Sequence, residues 1–130
     1  MKIEIRQVGP SSSQASIREH RTLIDRPAAK GGSDAGPMGG ELFLAAVGGC
    51  FMSNLLAAIA ARDAAIGGVR IEVIATMAES PARFSALELL VSADCEDRDL
   101  LHKLVEIADR GCIMMNTLRG ALDLRVRVTD

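Results

Sequence analysis

Leu42-Phe43-Leu44-Ala45-Ala46-Val47-Gly48-Gly49-Cys50-Phe51-Met52-Ser53-Asn54-Leu55-Leu56-Ala57-Ala58-Ile59-Ala60-Ala61 holds only two polar residues, Ser53 and Asn54, in twenty positions. A run of that length is enough to cross a bilayer as a helix. Six alanines and two glycines keep it mildly apolar, and no basic cluster flanks it; Arg62 stands beside Asp63. Membrane spans carry stronger apolarity and flanking Lys/Arg bias. The expectation is therefore no membrane association and a helix buried on nearly all sides. A chain of 130 residues has difficulty covering such a helix alone. A second copy of the chain can cover it, and the Ala and Gly positions allow close helix approach, so a tight homodimer is expected.

Working outward, residues 30–40 hold five glycines and Pro37 and read as a loop. It is either a connector or a place where backbone approaches a ligand or another subunit. No Gly-Lys-Ser/Thr ending follows, so it is not a phosphate loop. Upstream, residues 2–6 alternate with Ile3 and Ile5 on one face, Gly9-Pro10-Ser11-Ser12-Ser13 is turn composition, and residues 15–24 read as one returning strand closed by Pro27. Downstream, residues 69–77 put Val69, Ile71, Val73 and Ala75 on one face. Residues 84–91 turn Leu87, Leu89 and Val91 inward, and the two segments predict an antiparallel hairpin.

Asp94, Glu96, Asp97 and Asp99 suit the positive end of a helix dipole. Leu100, Leu101, Leu104, Val105 and Ala108 then recur at helical spacing, with Gly111 as the stop. Residues 113–119 suggest a further short helix, and 121–128 alternate as a last strand. The expected order is β-β-loop-α-β-β-α-β. That is an α+β fold with a largely antiparallel sheet, in a single domain over residues 1–130.

Composition narrows the function. Aromatics are 2%, with no Tyr or Trp, which removes stacking platforms for single-stranded nucleic acid and aromatic cages for cations. Lys+Arg total 15 against 17 Asp+Glu, so no basic excess exists to neutralise phosphates, and no nucleic-acid partner is expected. Three cysteines cannot all pair within one chain. The alternating start is no signal peptide, and a cytoplasmic protein with reduced thiols is expected.

Cys50, inside the buried helix, reads by itself as a small core residue. Cys112 reads as core too, though it follows a helix stop and can begin another helix, whose dipole favours a thiolate. Cys95 lies among Asp94, Glu96 and Asp97, an acidic setting that makes a poor nucleophile. The cysteines and the two histidines, His20 and His102, lack metal-ligand spacing, so no metal is expected. His20 and His102 both sit among charged neighbours and read as solvated.

The stretch Gly31-Gly32-Ser33-Asp34-Ala35-Gly36-Pro37 followed by Glu41-Leu42-Phe43-Leu44-Ala45-Ala46-Val47-Gly48-Gly49-Cys50 strongly resembles the OsmC/Ohr family. Glu106-Ile107-Ala108-Asp109-Arg110-Gly111-Cys112 and Thr117-Leu118 fit the same pattern, and the resemblance covers nearly the whole chain. It implies an OsmC-like fold: an intertwined homodimer whose antiparallel sheet wraps long buried central helices, with sites at the subunit interface. It also implies a thiol peroxidase acting on organic hydroperoxides without metal, haem or other cofactor. By motif position Cys50 is the peroxidatic cysteine and Cys112 the resolving one.

A buried apolar setting favours a small hydrophobic peroxide and opposes ionisation of Cys50. The family answers with an N-terminal arginine held by a glutamate. Arg21 is the first candidate here and Arg18 the second; three residues apart on one strand, they face opposite sides. Glu41 is the nearest carboxylate, about 13 Å along a straight helix from Cys50. The peroxidase branch has its glutamate ten residues before the cysteine, where this chain has Gly40, and Glu41 is turned by about 100° from that position. The loop's second proline is Gly39 here, so the chain resembles the less characterised OsmC-like relatives more closely. The implied reductant is an external dithiol, a lipoyl group in the peroxidase branch. The rival reading is the same scaffold holding a small ligand or sensing redox state without turnover.

Overall fold

The structure, a computed structural model, describes residues 1–129. The chain divides into two compact units, Met1–Phe43 and the remainder from Leu44.

In the first unit the strands β1 (Glu4–Gln7), β2 (Ser13–Ile17) and β3 (His20–Ile24) form an antiparallel sheet in the order β1-β2-β3. The single strand expected over residues 15–24 is therefore two. Ile17 pairs with His20, so Arg18 and Glu19 form the whole connection, and Arg18 takes a φ of 51°. The sequence hid this turn because neither position is the Gly or Asn that a positive φ favours. Register places Ile5 opposite Ala15 and Ala15 opposite Thr22. Ile3, Ile5 and Ile17 remain exposed in the chain taken by itself.

The glycine-rich loop that follows is organised around one carboxylate. Asp25 is buried, and its oxygens accept the backbone N–H groups of Arg26 (2.7 Å), Ser33 (3.1 Å) and Ala35 (3.1 Å). These bonds hold the Asp25 carboxyl below the usual carboxylate range, with the Ala35 amide the largest cause. The backbone closes on itself as well: Asp34 N–H donates to the Arg26 carbonyl and Asp25 N–H to that of Pro37. Gly32 packs so closely on the Arg26 backbone that a Cβ there would collide with it.

Helix α1 (Gly39–Ala61) is long and apolar enough to cross a membrane by length and composition. Its buried residues are Val47, Gly48, Phe51, Leu55, Ala58 and Ile59, one stripe at helical spacing. A second stripe, Ala45, Ala46, Gly49, Ser53, Leu56, Ala57 and Ala60, is exposed. The single chain therefore leaves the helix partly uncovered, the difficulty expected of a chain this short: one sheet and two further helices cover only one face.

The second unit also holds β4 (Gly67–Ala78), β5 (Arg83–Asp94), α2 (Arg98–Gly111), α3 (Ile113–Leu118) and β6 (Asp123–Val128). β4 and β5 make the expected hairpin, with Ile71 opposite Val91, Val73 opposite Leu89 and Ala75 opposite Leu87. β6 lies parallel to β5, so this sheet is mixed rather than antiparallel, and α2 with α3 supplies the crossover that a parallel pair requires. The strands thus form two three-stranded sheets where one was expected. Leu87, Leu89 and Val91 of β5, Leu101, Leu104 and Ala108 of α2, and Met115 of α3 join the α1 stripe as buried core. At Gly48 a Cβ would stand 2.8 Å from Val73 Cγ2, so glycine sets how closely α1 approaches the sheet. Asp97 caps α2 by accepting the Leu100 N–H at 2.9 Å.

Candidate active site

Cys50 sits in the middle of α1 and is half-buried. α2 stops at Gly111, and Cys112 takes an extended conformation (φ −80°, ψ 117°) that breaks the path before α3 begins. This break turns the Cys112 side chain into the core, where it has no exposed surface. All three cysteines are free thiols. Cys112 Sγ donates to Cys50 Sγ across 3.3 Å, a contact between residues 62 apart in sequence.

The electrostatics of the two sulfurs differ. Burial pushes the Cys112 thiol up from its ordinary value. The Met115 and Met114 backbone N–H groups pull the other way, while the neighbouring Cys50 adds to the rise. Cys112 therefore holds its proton and offers it to Cys50. Cys50 keeps some exposed surface and Cys112 none.

Asn54 completes the surroundings of Cys50. Its Nδ2 donates to the Cys50 carbonyl at 2.9 Å and lies 3.9 Å from Cys50 Sγ. A helical side chain leans toward the N-terminus, so a residue four positions on lies over the turn that carries Cys50.

The other expected site residues lie in the first unit. Arg18 occupies the β2–β3 turn, so the strand-parity argument that set it opposite Arg21 does not apply. Arg21, on β3, donates through Nη1 to the carbonyls of His20 (3.0 Å) and Arg18 (3.3 Å), and shares a face with Glu4 through Ser16. Glu41 Oε1 accepts the Met38 N–H at 2.8 Å, closing the first turn of α1. Among the described residues Glu41 makes no ion pair with either arginine. Cys95, expected among Asp94, Glu96 and Asp97, also has Arg98 Nη1 3.7 Å from its sulfur. Arg98 enters because α2 begins there and turns it back over the preceding loop. No group of three or more potential metal-ligating side chains stands together among the described residues.

Two residues escaped the sequence reading. Asp25 was legible in principle, since an Asp at a strand end before a Gly/Ser-rich loop is placed to accept loop amides. Asn54 was visible as a polar residue in an apolar run, but its direction depends on the helix.

The family model described as OsmC-like protein matches residues 31–127. The chain belongs to the OsmC-like protein family. No curated protein matches it. Among solved structures, an OsmC like protein from Mycoplasma pneumoniae superposes with a TM-score of 0.80 at 17% identity, covering 98% of this chain and 94% of that one. An organic hydroperoxide resistance protein OsmC from Legionella pneumophila gives 0.77 at 17% identity over 99% and 96%. The organic hydroperoxide resistance protein OhrB of Bacillus subtilis gives 0.74 at 21% identity over 98% and 96%. At these identities the likeness establishes an OsmC-like α+β fold.

Proposed function

We propose that this OsmC-like protein is a thiol-dependent peroxidase that reduces small hydrophobic organic hydroperoxides through Cys50 and Cys112, and that it works as a homodimer. The observation that carries the reading is the 3.3 Å approach of two free thiols, one half-buried and one fully buried. The Cys50 thiolate attacks a peroxide oxygen; the S–O bond forms as the O–O bond breaks, and the hydroperoxide's proton leaves on the alcohol. The resulting sulfenate takes up a proton from solvent. Cys112 sulfur then displaces the oxygen, which departs as water with the thiol proton, and the S–S bond closes. Two exchange steps with an external dithiol restore both thiols and leave that reductant as a disulfide.

Three observations support the finer points. The turn before Cys50, Ala46-Val47-Gly48-Gly49, and Phe51 and Met52 directly after it are apolar, which favours an alkyl peroxide over hydrogen peroxide. The buried, proton-holding Cys112 is suited to wait for an oxidised partner rather than to meet substrate. The exposed small-residue stripe of α1, with Leu56 at 48% exposure, offers a second copy a close-packing face. Arg21, with Arg18 as second candidate and Glu41 as its restraint, is proposed to favour the Cys50 thiolate. Relatives of the same fold named for organic hydroperoxide resistance agree with this chemistry.

The test is thiol counting after one equivalent of cumene hydroperoxide. The reduced protein loses two thiols per chain, faster than with hydrogen peroxide. Cys112→Ser stops at a sulfenic acid that dimedone traps on residue 50, and Cys50→Ser does not react. Retention of all thiols in the unaltered chain overturns the reading in favour of a ligand-binding scaffold.

A further inference from the structure

We propose that the Asn54 carboxamide is a hydrogen-bond donor built against the reacting Cys50 sulfur, favouring its ionised form and holding it toward Cys112. The proposal deepens the peroxidase reading and rests on it for the role of Cys50 as nucleophile.

The orientation of the amide follows from what each neighbour can do. The Cys50 carbonyl only accepts, so the edge 2.9 Å from it must be the NH2 group. That group has two hydrogens, and Cys50 Sγ, 3.9 Å away, is its second acceptor. The opposite edge, Oδ1, faces Gly111, where a Cβ would stand 3.3 Å from it. Gly111 directly precedes Cys112. One side chain therefore bonds the backbone of the helix that carries one cysteine and lies beside the residue that precedes the other, and the missing side chain at 111 leaves it room.

The sulfur of Cys50 thus receives two neutral donors, the Cys112 thiol and the Asn54 amide. Donors aimed at an anion favour it without adding a buried charge. They are not equivalent through the cycle. Cys112 gives up its proton when the disulfide forms, whereas Asn54 keeps its N–H throughout and stays available to the thiolate and the sulfenate. Local preference offers no other reason for the residue, since alanine is the better helix former in an alanine-rich segment. A polar residue that breaks the local rule is expected where a site needs it.

The experiment reads Cys50 without peroxide, so its outcome is separate from that of the thiol count. In a Cys95→Ser, Cys112→Ser background the rate of iodoacetamide alkylation is followed against pH. Asn54→Asp, which keeps the shape, removes the donor and adds negative charge, moves the midpoint up by about one pH unit, roughly a tenfold slowing at neutral pH. Asn54→Leu moves it in the same direction by less. A merely structural asparagine would lower melting temperature and, in the uncharged Asn54→Leu, leave the midpoint alone. In the protein without an Asn54 substitution, NMR follows the Asn54 side-chain amide as Cys50 titrates. Shifts sharing one midpoint support the donor role. An amide that stays still while the Cys50 Cβ resonance moves overturns it, as does an unmoved alkylation midpoint in folded Asn54→Asp and Asn54→Leu.

Discussion

Cys50 and Cys112 stand sulfur to sulfur at 3.3 Å, with the Cys112 thiol donating and fully covered. The pair is therefore asymmetric before any oxidant arrives. Alkylation of the reduced native protein should label Cys50 first and leave Cys112 nearly untouched, at least tenfold slower at neutral pH. The Cys112 thiol is raised, so its labelling should gain speed only as pH rises beyond the ordinary thiol range of about 8.5. Mass mapping of partially labelled protein checks this; equal labelling would contradict the assigned roles.

Asp25 should shape the acid limit of stability. Its native carboxyl is held below the ordinary value, so its contribution is complete above the unfolded value of about 3.9 and is lost as pH falls through the lower native value. Asp25→Asn should lower the melting temperature by several degrees at pH 7 and flatten its decline below pH 4. Thermal melts of both proteins across that range decide the matter.

The contact between Gly48 and Val73 should behave as a pair. Gly48→Ala places a methyl 2.8 Å from Val73 Cγ2 and should cost about 1–3 kcal/mol. Val73→Ala opens the same space at its own cost, and the double variant should be more stable than the sum of the single losses predicts. Denaturant titration of the four proteins gives the coupling, and simple additivity would show that the helix relaxes away from the sheet.

The exposed stripe of α1 predicts association. Sedimentation at low micromolar concentration should show a dimer, burying more than roughly 2,000 Å² in total. Leu56→Glu, at a position 48% exposed in the single chain, should shift the equilibrium to monomer with little loss of monomer stability. A monomeric unaltered protein would exclude the homodimer.

If Arg21 favours the Cys50 thiolate, Arg21→Ala should slow Cys50 alkylation at pH 7 by about tenfold, and Arg18→Ala should have less effect. Glu41→Ala should also weaken the start of α1, because the Met38 N–H loses its acceptor. Unchanged alkylation in all three would remove the arginine from the mechanism.

What the sequence made legible was what periodicity and composition carry. The β4–β5 hairpin follows from the alternation of Ile71, Val73 and Ala75 against Leu87, Leu89 and Val91, and α2 from its leucine spacing and acidic start. The Arg18–Glu19 turn was hidden because its residues carry no turn chemistry. The parallel placement of β6 was hidden because alternation states which side chains face inward, not which neighbour a strand chooses. Cys50 and Cys112 were reached through a family motif, and spacing alone could not join positions 62 apart. The partners of Asn54 and Asp25 depend on backbone amides and carbonyls, which a sequence does not display.

The break at Cys112 has a thermal consequence. A bond from there to Cys50 would tie the central helix to the crossover that delivers the last strand, closing a loop of more than sixty residues. In the chain-entropy account such a closure stabilises by about 4 kcal/mol. The oxidised protein should then melt well above the reduced one. Each turnover would tighten the fold and each visit of the reductant would loosen it, so that a melting curve reports the redox history of the sample.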